Sequence, residues 1–196
     1  MEEEEKTGHP LYGALLFQAA FIPVALILAL WLGLTPWADL HFDLATIGLT
    51  LAGTALMFLF YMALLPFGFQ WARRLETQVA EMMATLFQGK SQHWALLLAI
   101  LAGVGEELLF RGVIQAGLAE WLGWQAGLIL SSLLFGLAHC ISRAYFIIAC
   151  LMGFYMGLIY LWSGNLLLVI LIHALYDWLA FQYYLRRLPS TTTPQD

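Results

Sequence analysis

Six stretches of mostly apolar residues, each close to the roughly 20 residues a helix needs to cross a bilayer, constrain this chain more than any other feature. They run Leu11–Leu34, Leu44–Phe69, His93–Ala119, Gln125–Ile141, Tyr145–Trp162 and Leu166–Leu185. In hydrocarbon every backbone N–H and C=O must be satisfied internally, so segments of this kind are expected as helices. The fold class expected is therefore all-α, a polytopic membrane bundle of about six transmembrane helices. Composition agrees: 62% of the 196 residues are hydrophobic and 11% charged, against roughly half and about a quarter in soluble domains. The net charge of −5 owes much to Glu2–Glu5 and points to no nucleic-acid partner. Cys140 and Cys150 fall in apolar segments and read as buried free thiols.

The basic residues set an orientation. Lys6, Arg73, Arg74, Lys90, Arg143, Arg186 and Arg187 all fall on one side of a six-span arrangement, and the loops on the other side carry no Lys or Arg. The positive-inside rule places that basic side, and both termini, in the cytoplasm, as expected for a cell (inner) membrane protein. The first span is too long for a signal-peptide core and lacks a basic flank, so it is expected to be retained. Residues 1–10 read as an acidic tail, 11–188 as one helix-bundle domain with its catalytic core at about 93–188, and 189–196 as a disordered tail. Between spans two and three, Trp71, Leu75, Val79, Met82, Met83, Leu86 and Phe87 recur at helical spacing. They describe either an amphipathic helix in the cytoplasmic interface or an extension of span two packed on its neighbours.

Against this apolar background the ionisable residues stand out, because a charge near the bilayer centre costs about 3 kcal/mol even on the mildest scales. Span three holds Glu106, Glu107 and Arg111; span four presents Phe135, His139 and Arg143 at i, i+4, i+8; span six holds His173 and Asp177 at i, i+4. Such spacing puts each set on one helix face. Glu107 has a cation one turn away. Glu106 has none at i±3 or i±4, and adjacent helical positions point about 100° apart, so its partner must come from another helix or from water. The sets are expected to converge on one cavity between the midplane and the cytoplasm. Gly153 and Gly157 in span five suit close helix packing.

The series Glu106-Glu107-x-x-x-Arg111, Phe135-x-x-x-His139 and His173-x-x-x-Asp177 resembles the three motifs of the CAAX protease and bacteriocin-processing family, also called the Abi family, which includes the type II prenyl-protein endopeptidase acting on CAAX proteins. The likeness covers spans three to six. It implies an intramembrane endopeptidase whose partners are the bilayer and a membrane-tethered peptide or lipidated protein. It implies further that Glu106 and His139 activate a water and that His173 and Asp177 stabilise the oxyanion, with Glu107, Arg111 and Phe135 supporting them. Peptide hydrolysis needs a base for water, donors for the oxyanion and an acid for the leaving amine, and these residue types supply all three.

One position departs from the family's pattern: some members carry asparagine where this chain has Asp177, and an ionised carboxylate cannot donate to an oxyanion. Asp177 is then protonated, or orients and charges His173, or binds a metal. Glu106, His139, His173 and Asp177 form an N/O set compatible with zinc. The reading favours metal-free chemistry, with no cofactor, and keeps zinc as the alternative. Two functions of other classes compete: a proton-coupled transporter, because intramembrane Glu, His and Asp also build proton relays, and a non-catalytic immunity or scaffold partner.

Overall fold

A computed structural model of the chain describes residues 9–64 and 69–187; the expected terminal tails lie almost entirely outside these. The helices are α1 (Pro10–Leu32), α2 (Leu44–Leu64), α3 (Gln70–Phe87), α4 (Gln92–Leu109), α5 (Ala116–Leu122), α6 (Trp124–Ala138), α7 (Arg143–Ser163) and α8 (Leu166–Leu185). A π-helical turn, Phe110–Gln115, joins α4 to α5, so one helical rod runs from Gln92 to Leu122. No strand occurs among the described residues.

Four helices, α1, α2, α7 and α8, are long and apolar enough to cross a membrane by length and composition. The other two expected passes are helical as well, but differently built: one is the rod interrupted by the π-helical turn, and the other, α6, has 15 residues. The chain is an all-helical polytopic bundle. Its outward faces expose Leu16, Ile27, Leu30, Leu51, Leu59 and Ile147, the pattern that a lipid solvent allows and water penalises.

The rod is the bundle's axis: α4 packs chiefly on α8 and α1, α6 on α7, and α2 on α8. Two glycines let α4 approach both partners closely. A Cβ on Gly103 would lie 2.9 Å from the backbone N of Ala174 in α8, and one on Gly105 would lie 2.8 Å from the carbonyl oxygen of Gln18 in α1. Polar side chains of the π-helical segment fasten the rod to α7, with Arg111 Nη2 donating to the Gly153 carbonyl at 2.8 Å and Gln115 Nε2 to that of Gly157 at 3.1 Å. The expected packing role of these two glycines is what the helix pair shows.

One end of the bundle is closed by polar clamps. Asn165 caps α8 through Leu168 N and donates to the His41 carbonyl at 2.8 Å, and Tyr160 donates to Asp39 Oδ2 at 2.6 Å. Asp43, ahead of α2, accepts from Thr46 N and Oγ1, and these bonds hold its carboxyl below the ordinary carboxylate range. Exposed Trp31, Trp37, Trp121, Trp124 and Trp162 all lie in or beside the connections at this end, as an interfacial aromatic belt would. The other end carries Arg73, Arg74, Lys90, Arg143, Arg186 and Arg187. There α3 stands as an element of its own, with Leu75, Met83 and Phe87 buried and Arg73, Arg74, Glu81 and Gln88 outward; Trp71 is half-exposed and stacks on Phe69. The thiols depart from expectation. Cys140 is exposed, because it follows the end of α6, and Cys150 is only partly buried; both are free.

Candidate active site

Glu106, Glu107 and Arg111 of the rod, His139 just after α6, and His173 and Asp177 of α8 meet inside the bundle. Glu106, Glu107 and Arg111 are almost fully buried, and His173 is 6% exposed. Glu107 is the hinge of the arrangement: Oε2 lies 3.1 Å from Arg111 Nε and Oε1 lies 2.7 Å from His173 Nδ1. A carboxylate paired with a guanidinium can only accept, so Nδ1 of His173 is the donor. The other nitrogen, Nε2, faces Asp177 Oδ2 at 3.5 Å and Glu106 Oε2 at 3.9 Å.

His139 is aimed by the end of its own helix. The expected row Phe135, His139, Arg143 does not lie on one helix, because α6 stops at Ala138 and Ser142 starts α7 by accepting from Tyr145 N. A helix end leaves carbonyls without intrahelical donors. The His139 N–H turns to the Gly136 carbonyl, and the imidazole Nδ1 satisfies the Phe135 carbonyl at 2.8 Å. A carbonyl only accepts, so Nδ1 carries a proton and donates it. Nε2 is left pointing at Glu106 Oε2, 3.5 Å away.

Phe135 spaces the groups. Its ring stacks on His139 at 4.5 Å, meets His173 edge-on at 6.1 Å and lies 4.7 Å from the Arg111 guanidinium. Such contacts hold both imidazoles while adding cation–π stabilisation to a buried Arg.

Glu106 is the one carboxylate of the cluster without a cation beside it in its own helix. Its Oε1 accepts from Gln18 Nε2 of α1 at 2.8 Å, and its Oε2 is buried without a hydrogen-bond partner among the described residues. That free oxygen looks into a cavity of about 290 Å³, to which His139, His173 and Asp177 also contribute. The cavity runs toward the basic end, where Val79, Met82 and Leu86 of α3 line it with Tyr61, Tyr145 and Tyr184. A second, apolar cleft of about 350 Å³ lies between α2 and α7, lined by Leu56, Met57, Phe60, Leu151 and Tyr155, and shares Met152 with the first.

All seven residues singled out in the sequence are therefore in one cluster, and Arg143 is not. Sequence reasoning missed Gln18, whose only signal was an amide in an otherwise apolar span, and it missed the second partner of Glu107. Among the described residues no group of three or more His, Cys, Asp or Glu side chains is arranged to hold a metal ion.

Comparison with known proteins bears out the family resemblance. Residues 89–179 match the family described as type II CAAX prenyl endopeptidase Rce1-like. A curated relative, "Uncharacterized protein YpbD" of Bacillus subtilis (strain 168), is 33% identical over 92 residues, which cover 47% of this chain and 46% of the relative. The chain thus spans about half the length of the curated relative it matches. No solved structure matches.

Proposed function

From the premise that residues 89–179 carry the features of the Rce1-like type II CAAX prenyl endopeptidase family, we propose that this protein is an intramembrane endopeptidase that hydrolyses a peptide bond of a membrane-tethered substrate with a water activated between Glu106 and His139. One observation carries the reading: Glu106 Oε2 and Nε2 of His139, whose Nδ1 is committed to the Phe135 carbonyl, face each other at 3.5 Å in a cavity. A water held against both groups gives a proton to the Glu106 carboxylate and keeps a lone pair free for a carbonyl carbon.

The chemistry then follows from the partners of each group. Glu106 takes the water's proton as the new C–O bond forms. Desolvation in the cavity leaves this carboxylate little competing solvation, which suits a base. His173, flanked by the carboxylates of Glu107 and Asp177, acts as an imidazolium with one N–H committed to Glu107 and the other free to donate to the oxyanion. Asp177 is the residue that orients and charges His173, and in this role it needs no proton of its own. The proton held by Glu106 passes to the leaving amine, through His139 or directly, as the C–N bond breaks.

A substrate held at the membrane fits the surroundings. The cavity is walled by the apolar face of α3, and the cleft between α2 and α7 offers an apolar flank beside it for a lipid chain. Access from the basic, cytoplasmic end completes the reading. The test is reconstitution with a fluorogenic prenylated peptide and its unprenylated counterpart, comparing wild type with Glu106→Ala and His139→Ala. Cleavage unchanged in Glu106→Ala overturns the mechanism, and equal cleavage of both peptides removes the lipid from the specificity.

A further inference from the structure

Gln18 lies outside the matched segment and outside all three motifs, on a helix that contributes no ionisable group to the site. Its Nε2 donates to Glu106 Oε1, the carboxylate oxygen that does not face the histidines, and its own Oε1 is buried without a hydrogen-bond partner among the described residues. An amide serving only to join two membrane helices has helix backbone and its own carbonyl available for pairing. Here one end of the amide is committed to a carboxylate and the other end is left unsatisfied, an arrangement that costs free energy inside a bundle.

The backbone is arranged to permit this contact. Gly105, next to Glu106, lets α4 come so near α1 that a Cβ would meet the Gln18 carbonyl at 2.8 Å and Phe21 Cβ at 3.0 Å. A carboxylate's terminal torsion is broad and soft, so an isolated Glu106 could rotate Oε1 and Oε2 past each other at small cost. A fixed donor on Oε1 removes that freedom and leaves Oε2 as the oxygen presented to His139 and His173. We propose that Gln18 is a positioning residue for Glu106: by holding Oε1 it selects Oε2 as the oxygen that meets the attacking water.

The catalytic half of this inference rests on Glu106 being the base, so the experiment has one arm that depends on proteolysis and one that does not. In the first, Gln18→Met, of similar length and without a donor, lowers kcat by up to about a hundredfold, the loss that misplacing a reacting group produces, with KM within about twofold and the melting temperature unchanged. Gln18→Glu separates the donor from the shape: the introduced carboxyl donates only when protonated, so activity recovers toward wild type at acid pH and falls as pH rises. In the second arm, labelling of Glu106 by a hydrophobic carbodiimide is followed by peptide mass spectrometry, and Gln18→Met labels faster than wild type because Oε1 is no longer held. Wild-type kcat in Gln18→Met, or a single uniform loss in both variants at every pH, overturns the positioning role. Unchanged labelling of Glu106 in Gln18→Met overturns the contact itself. Faster labelling in a preparation that cleaves no peptide upholds the contact and counts against the peptidase reading instead.

Discussion

Glu107 and His173, 66 residues apart, are joined at 2.7 Å inside the bundle, while the other oxygen of the same carboxylate pairs with Arg111 at 3.1 Å. The pair ties α4 to α8 at the point where Gly103 lets the two backbones touch. One carboxylate therefore neutralises a buried cation and orients an imidazole, and the two duties are separable by substitution.

Glu107→Leu strands the Arg111 guanidinium, whose Nη1 already lacks a partner among the described residues. Breaking a buried pair in this way costs about 3–5 kcal/mol, to be read as a fall in the melting temperature in detergent. Glu107→Leu with Arg111→Leu removes both charges at once and recovers most of that loss, since apolar replacements of buried pairs are often neutral or better. Peptidase activity stays low in the double variant, because His173 has lost its acceptor. A double variant that regains both stability and activity refutes the orienting role.

Glu106→Gln keeps the shape of the side chain and removes its basicity. The expected effect is a fall in kcat of about 10²- to 10⁴-fold, the usual share of general acid–base catalysis, with substrate binding nearly intact. His139→Ala should lose activity on the same scale, and the double variant should lose little more than either single one if the two groups hold one water. Additive losses in that cycle, measured by single-turnover cleavage, count against a shared water.

Much of this was legible before the structure because membrane helices impose their periodicity on the sequence. Glu107 with Arg111 and His173 with Asp177 sit one turn apart, and a bilayer leaves buried charges few places to go but inward. The early end of α6 was not legible: apolar residues continue to Ile141, and only the capping of the Phe135 carbonyl by His139 and of α7 by Ser142 breaks the run. Gln18 and the contact between Glu107 and His173 were hidden for another reason. Both are pairings between helices distant in sequence, set by glycine contacts at 103 and 105 that no local pattern reports.

Metal dependence offers a direct check on the favoured chemistry. In the proposed mechanism His173 Nε2 donates to an oxyanion and Glu106 accepts a proton from water, so neither is engaged as a ligand. Cleavage should survive dialysis against a strong chelator, and added zinc should leave the rate unchanged or lower it by competing for Glu106, His139 and Asp177. Activity lost on chelation and restored by zinc would replace this mechanism with the metal-assisted one.

The proposed access from the basic end gives an orientation that can be read on intact cells. Cys140 is exposed at that end and Cys150 is partly buried, so both are first replaced by Ser. Single cysteines are then introduced at Asp43, in the connection lined by exposed tryptophans, and at Lys90, between α3 and α4. A membrane-impermeant maleimide should label the Asp43→Cys variant from outside, whereas the Lys90→Cys variant should react only after the membrane is opened, as the distribution of Lys and Arg requires. The reverse labelling pattern would turn the cavity beside Glu106 away from the cytoplasm and with it the source of the proposed substrate.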